Sequence, residues 1–331
     1  MDRVVISSDG GLTQSAKCID TLREAGFDVD LVLDRRFALG QMTDMEAVEV
    51  LKGATAVLAW GEKYTKTVLS SLPELRVVAR VGVGFDSVDI PTATLHNIVV
   101  TITPNANHEA VAEHALALIF ALAKMIVPGD RRMRTGEWPN VPRRPLREQT
   151  LGVLGLGRIG RSLTVRALAC RMTVIATEPY PDRAFVEQHG IELVEMDELL
   201  ARSNFVSVNL PLSDATRGII NRQALAKMKA GAALINTARG KLVVESDLVE
   251  ALRSGHLGGA GLDVFEKEPT DPHNPLFDFD NVVVCPHIAG NDTKAMEDMG
   301  IEAAGYIIDL SHGKWPEGAV VNRELAEKWR W

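Results

Sequence analysis

Cysteine is scarce in this 331-residue chain, with Cys18, Cys170 and Cys285 scattered along it. An odd, dispersed set excludes a disulfide framework and a paired cysteine metal motif, and the three read as small buried residues. Long hydrophobic runs are lacking as well. The longest, Ala115 to Ala123, has nine residues and stops at Lys124, far short of the roughly 20 a membrane span needs. It reads as a buried helix. The N-terminus, M-D-R-V-V-I-S-S, enters a strand-like run without the regions of a signal peptide, so a cytoplasmic protein with no membrane partner is expected. Excess positive charge is also missing. A formal net charge of −8 argues against nucleic acid as the main partner. There is neither an internal repeat nor a low-complexity segment.

What remains is an ordinary globular composition, 46% hydrophobic and 24% charged, long enough for two domains. Strand-like runs at Val4 to Ser7, Val29 to Leu33, Ala56 to Ala59, Arg76 to Val81 and Ile98 to Thr101 alternate with helical segments such as Ser15 to Ala25 and Met45 to Leu51. Alternation of this kind implies a parallel, doubly wound sheet. From Leu151 it resumes at 151–154, 172–176, 191–194, 205–210, 232–236, 259–264 and 281–284, and a helix is expected over Thr293 to Leu310.

Between the two series, Thr103-Pro104 is a candidate boundary, and Asn107 to Val127 reads as one long helix with Asn107 as its N-cap. Its H-E-A-V-A-E-H is not a zinc-protease helix. His108 and His114 are six apart, about 240° around the axis, where a shared face needs a spacing of four. Residues 128–149 carry Arg131, Arg132, Arg134, Arg143, Arg144 and Arg147. They form either a solvated face or an arm that meets a partner subunit or an anionic substrate.

The stretch that organises the chain is L-G-V-L-G-L-G-R-I-G at 151–160. A strand running into Gly155, Gly157 and Gly160 and then opening a helix lays a pyrophosphate on the helix N-terminus, with Arg158 and Ile159 in its first turn. Glu178 closes the next strand, 18 residues beyond Gly160, near the roughly 20 expected of an acid that accepts ribose hydroxyls. A carboxylate there repels a 2′-phosphate, which favours NAD over NADP.

A second glycine turn, V-G-V-G-F-D-S-V-D at 81–89, follows the fourth strand. Gly82 and Gly84 either expose amides to a small carboxylate, as strand ends of an open α/β sheet often do, or form a turn with nothing bound. Three further residues stand at strand ends: Arg239 in I-N-T-A-R-G, Glu268 in D-V-F-E-K-E-P and His287 in C-P-H-I-A-G. Reducing a 2-oxo acid needs a hydride, a proton for the carbonyl oxygen and a cation for the carboxylate. Histidine suits the proton, a neighbouring carboxylate fixes its ring, and arginine grips a carboxylate with two parallel bonds.

These five ordered motifs resemble the D-isomer-specific 2-hydroxyacid dehydrogenase family, which includes 3-phosphoglycerate, glyoxylate/hydroxypyruvate and D-lactate dehydrogenases. The resemblance implies two doubly wound α/β domains, a Rossmann nucleotide domain at 104–289 inserted into a flavodoxin-like substrate domain made of 1–103 and 290–331, with the active site in the cleft between them. It also implies that Arg239 binds the substrate carboxylate and carbonyl, that His287 is the acid/base, and that Glu268 supports it. Cofactor contacts would come from Pro211, Thr216, Thr237, Ala238, Asp263 and Gly290, with Asp263 on the nicotinamide carboxamide, and substrate amides from around Val83. A homodimer joined at the Ala115 to Ala123 helix is implied too.

The chain departs from the family pattern at Glu178, commonly aspartate, and at Asn209, where a histidine often stands. Asn291 is a candidate for substrate selection. No C-terminal regulatory domain is expected, which puts feedback control of the serine-pathway kind in doubt. Formate dehydrogenases, which carry glutamine at the position of Glu268, are disfavoured. An NAD-sensing corepressor resembling C-terminal-binding proteins is the alternative from another class.

Overall fold

The apolar runs form strands because parallel strands covered on both faces need side chains that bury in both directions. The computed structural model describes residues 1–8, 16–138 and 140–331, so the start of the expected Ser15 helix lies outside them. The chain divides into two compact units, Met1–Asn107 with Asn291–Trp331, and His108–Gly290.

The first unit holds β1 (Arg3–Ser7), β2 (Asp28–Val32), β3 (Ala56–Ala59), β4 (Val77–Arg80) and β5 (Val99–Thr101). They pair in parallel in the order β2-β1-β3-β4-β5, the flavodoxin-like order that reverses beside β1. Val5, Val57, Leu58 and Val78 are essentially without exposure. The chain's tail completes this unit. Val320 bridges Thr101 in antiparallel sense, Asn322 brackets β5 through the Val100 N–H and the Ile98 carbonyl, and the buried Trp329 donates Nε1–H to Asn97. These contacts cover an edge strand that would otherwise offer unpaired backbone groups.

The second unit holds β6 (Thr150–Leu154), β7 (Thr173–Thr177), β8 (Glu192–Leu193), β9 (Phe205–Val208), β10 (Ala233–Asn236), β11 (Gly259–Leu262) and β12 (Val282–Val284). Their order, β12-β11-β10-β9-β6-β7-β8, is the doubly wound dinucleotide order with one extra strand, and it reverses between β6 and β9. One apolar cluster packs the helices His108–Lys124 and Arg158–Ala169 on one face of the sheet, and a second packs Met196–Arg202, Arg222–Lys227 and Glu245–Arg253 on the other. Gly152 sits where a Cβ would lie 2.2 Å from Ser203 Oγ, so strand and helix meet there without a side chain between them.

Three expectations are corrected here. The long helix stops at Lys124, Met125 takes a left-handed φ of 52°, and a second helix, Ile126–Arg134, leaves at 57°. Pro128 is the cause, because in a continuous helix its ring would strike the Lys124 carbonyl and it has no N–H to donate. Asn107 is not a side-chain cap, since its Oδ1 has no hydrogen-bond partner among the described residues. Cys18 is buried, but Cys170 and Cys285 are only half-buried. Cys170 caps the C-terminus of a helix and Cys285 follows the edge strand β12, both places with an open side. Among the described residues no single helix is long and apolar enough to cross a membrane.

Candidate active site

The switch point of the seven-stranded sheet is built by glycine. Gly155, at φ 93°, leaves β6 where a Cβ would lie 2.7 Å from the Asn209 carbonyl oxygen, and a Cβ on Gly160 would lie 2.1 Å from the Gly155 oxygen. Both backbones therefore close on one another only because these positions lack side chains. A Cβ on Gly157 would meet nothing within 4 Å. Gly157 is also the N-cap of Arg158–Ala169 and offers no side chain to its first amides. An open concavity over uncapped N–H groups at a helix N-terminus fits a pyrophosphate. Arg158 is exposed beside it, and Ile159 is half-buried.

Glu178 closes β7 and turns toward this loop, accepting from Leu156 N at 2.9 Å and from Tyr180 N at 3.1 Å. Each carboxylate oxygen keeps a lone pair that these amides do not use. Beyond β9, Thr216 Oγ1 donates to the Pro211 carbonyl at 2.6 Å and accepts from Ser213 N, so that hydroxyl shapes the turn. Two buried polar atoms at neighbouring strand ends, Thr237 Oγ1 and Asn209 Oδ1, have no partner among the described residues. Orphaned groups of that kind are rare in a native interior and point to a ligand or water.

At the end of β10, the buried Asn236 accepts from Ala238 N at 3.1 Å and donates to the Arg239 carbonyl at 2.9 Å. This clamps the turn that presents Arg239. Gly240 follows because a Cβ there would lie 1.9 Å from the Phe265 carbonyl. Arg239 is half-buried, and its Nη1 donates to the Ala238 carbonyl at 2.6 Å.

Glu268 and His287 meet directly, Oε2 to Nδ1 at 2.6 Å, while Oε1 accepts from Phe265 N at 2.9 Å. Burial by itself would push the Glu268 carboxyl up. The His287 hydrogen bond and charge, the Phe265 amide and the Arg239 guanidinium outweigh it and hold the group below its ordinary value. The His287 side chain is 50% exposed. With Nδ1 committed to Glu268, proton exchange with a substrate falls to Nε2.

His287 has a φ of 56°, a left-handed conformation that costs a non-glycine residue of order 1–3 kcal/mol. Asp263 holds it there. Its carbonyl accepts His287 N at 2.8 Å, and its carboxylate accepts Ile288 N at 2.9 Å and Ala289 N at 2.8 Å. Asp263 is fully buried, so its main role in this structure is to anchor the His287 loop. Any contact with a carboxamide is left to the lone pairs those two amides do not use. Gly290 follows this loop and is half-buried.

In the first unit the glycine turn after β4 differs from expectation at one residue. The Gly82 N–H is donated to Thr103 Oγ1 at 2.8 Å, so it is not an exposed amide. Those of Val83 and Gly84 have no partner among the described residues. Arg80 braces the turn, donating to the Gly84 carbonyl at 3.1 Å and to that of Trp60. Behind it lies Glu62, buried against Ser7, Tyr64 and the Trp60 amide. Sequence reasoning missed this brace, for which the only signal was a charged residue closing an apolar strand. It also missed the approach of His114, Asp263 and Cys285, which linear spacing cannot show. Of the basic segment, Arg144 is structural, donating to the Gly231 carbonyl at 2.8 Å and lying over Phe205.

Fold and loop together define a doubly wound α/β protein with a dinucleotide-type glycine turn. Residues 116–289 match the family described as D-isomer specific 2-hydroxyacid dehydrogenase, NAD binding domain. A D-3-phosphoglycerate dehydrogenase of Archaeoglobus fulgidus is 37% identical over 301 residues, covering 90% of this chain and 56% of that one. A glyoxylate reductase of Thermofilum pendens is 41% identical over 273 residues, covering 80% of each. The solved D-lactate dehydrogenase of Aquifex aeolicus, complexed with NAD and lactic acid, superposes with a TM-score of 0.83 at 28% identity, covering 96% of this chain and 99% of that one. The chain belongs to the D-isomer-specific 2-hydroxyacid dehydrogenase family. It spans about half the length of the D-3-phosphoglycerate dehydrogenases it matches.

Proposed function

We propose that this protein is an NAD-dependent oxidoreductase that interconverts a small D-2-hydroxy acid and its 2-oxo acid. The observation that carries this reading is the 2.6 Å pair of His287 Nδ1 and Glu268 Oε2 on the sheet whose glycine turn fits a pyrophosphate. The nicotinamide supplies the hydride when bound. His287 Nε2 delivers a proton to the carbonyl oxygen in reduction and removes it in oxidation, and Glu268 keeps the ring oriented through Nδ1. Arg239 receives the substrate carboxylate and carbonyl oxygen. Gly155, Gly157 and Gly160 accommodate the pyrophosphate, and Glu178 the ribose. The negative charge of Glu178 supports a preference for NAD over NADP.

The related glyoxylate reductase and D-lactate dehydrogenase support small oxo acids as substrates. A cytoplasmic homodimer joined through the His108–Lys124 helix, with neither nucleic acid nor membrane as partner, completes the proposal. The experiment is NADH oxidation across glyoxylate, hydroxypyruvate, phosphohydroxypyruvate, pyruvate and bulkier oxo acids. Turnover of at least one of them, with the D-hydroxy acid as product, is the expected result. Tight NAD binding without turnover of any would remove the reading.

A further inference from the structure

Three side chains of different ligand chemistry converge behind the His287 loop. His114 comes from the His108–Lys124 helix, Asp263 from the end of β11 and Cys285 from the end of β12. A ring nitrogen, a carboxylate oxygen and the Sγ atom all lie within 4.8 Å of one another. The strands bring two of them together by register: Leu262 pairs with Val284, and Cys285 N donates to the Leu262 carbonyl at 2.8 Å. His114 Nε2 is buried without a hydrogen-bond partner among the described residues and stands 3.7 Å from Asp263 Oδ1, too far for a hydrogen bond. Its ring therefore has an unspent nitrogen aimed at a buried carboxylate.

We propose that His114, Asp263 and Cys285 form a site for a thiophilic divalent cation of the Zn2+ class, and that an ion bound there inhibits the enzyme by drawing on the anchor of the His287 loop. One nitrogen, one oxygen and one sulfur are a donor set for four-coordinate Zn2+ with an open fourth position for water. With bonds of about 2.0–2.3 Å, the ligand atoms of a tetrahedral site are roughly 3.3–3.7 Å apart. The His114–Asp263 separation of 3.7 Å already meets this, and the half-buried Cys285 Sγ, within 4.8 Å of both partners, can close the remainder by side-chain rotation.

Charge favours the ion as well. Asp263 carries a negative charge at no exposure, offset by two backbone amides. When the cation binds, the S–H proton leaves to solvent as the S–metal bond forms, and two anionic ligands neutralise the divalent charge. Cys285 and Asp263 flank the loop by sequence and by hydrogen bond, so drawing them together displaces His287 from Glu268. The inhibitory consequence rests on the reading of His287 given above. Occupancy does not.

The test uses the whole chain freed of metal by chelator and titrated with Co2+. One equivalent is expected to give a thiolate-to-cobalt charge-transfer band and tetrahedral d–d bands, both abolished by Zn2+. Cys285→Ser removes the charge-transfer band and lowers the affinity by at least about tenfold, and His114→Gln lowers it similarly. Neither residue takes part in the proposed chemistry, so both variants keep basal activity and resist Zn2+ inhibition. A silent Co2+ spectrum, or a band that survives in Cys285→Ser, overturns the site even in an active enzyme. The full Co2+ signal in a protein that reduces no oxo acid upholds the site and removes only the dehydrogenase reading. Zn2+ binding without inhibition of an active enzyme overturns the link to the His287 loop.

Discussion

Replacing Glu268 by glutamine probes the central contact with little change of shape. In the native site the carboxylate uses both oxygens, one for Phe265 N at 2.9 Å and one for His287 Nδ1 at 2.6 Å. Glutamine has a single acceptor oxygen, so one of those donors must face an N–H2 group. A hydrogen bond with a charged partner is worth about 1.5–3 kcal/mol. The pair is partly open to water, with side chains 50% and 35% exposed, and screening puts the loss near the lower end, about 1.5–2 kcal/mol. That corresponds to roughly a 10- to 30-fold fall in kcat/KM for oxo-acid reduction.

The pH dependence carries a sign. Because the Glu268 carboxyl is held below its ordinary value, its stabilising contribution is present above the usual glutamate pKa of about 4.3 and is lost as pH falls through the lower folded value. Near neutrality Glu268 therefore stays ionised in the wild type, and the advantage of the wild type over the glutamine variant shrinks as pH falls into the acid range where the carboxylate takes up a proton. The assay is kcat/KM for NADH oxidation against pH in both proteins. A variant that keeps the wild-type rate and the wild-type profile refutes the reasoning.

Two further substitutions test neighbouring parts of the site. Asp263→Asn leaves one loop amide facing an N–H2 group in a buried position and is expected to cost about 2–4 kcal/mol of stability by denaturant unfolding, with kcat falling more than KM rises. An unchanged midpoint and kcat would show that the loop is held by other contacts. Glu178→Ala is expected to raise the kcat/KM ratio of NADPH to NADH by about tenfold, the value of roughly 1.4 kcal/mol of removed repulsion. An unchanged ratio assigns cofactor preference to another residue.

What the sequence revealed and what it concealed divide along sequence separation. The glycine turn at 155–160, Glu178 and the alternation of strands and helices are local patterns, written within a few turns of chain, and the structure places them on adjacent strand ends. His287, Glu268 and Arg239 were legible as residue types suited to one reaction, each at the end of an apolar run. The supports of these residues were not. Asp263 reaches Ile288 and Ala289 across 25 and 26 positions, and Thr103 takes the Gly82 amide from 21 positions away, so neither contact leaves a periodic trace. The break at Met125 was concealed differently. An apolar run through Ala123 suggested continuity, and the effect of Pro128 falls on a carbonyl one turn upstream of the proline itself.

The most direct measurement compares kcat for NADH-dependent reduction of the preferred oxo acid between the wild type and His287→Ala near neutral pH, with NADH affinity followed by fluorescence. The account predicts a fall in kcat of about 10²–10⁴-fold with NADH affinity retained, because His287 serves the proton and not the pyrophosphate. An unchanged kcat in the variant would contradict it.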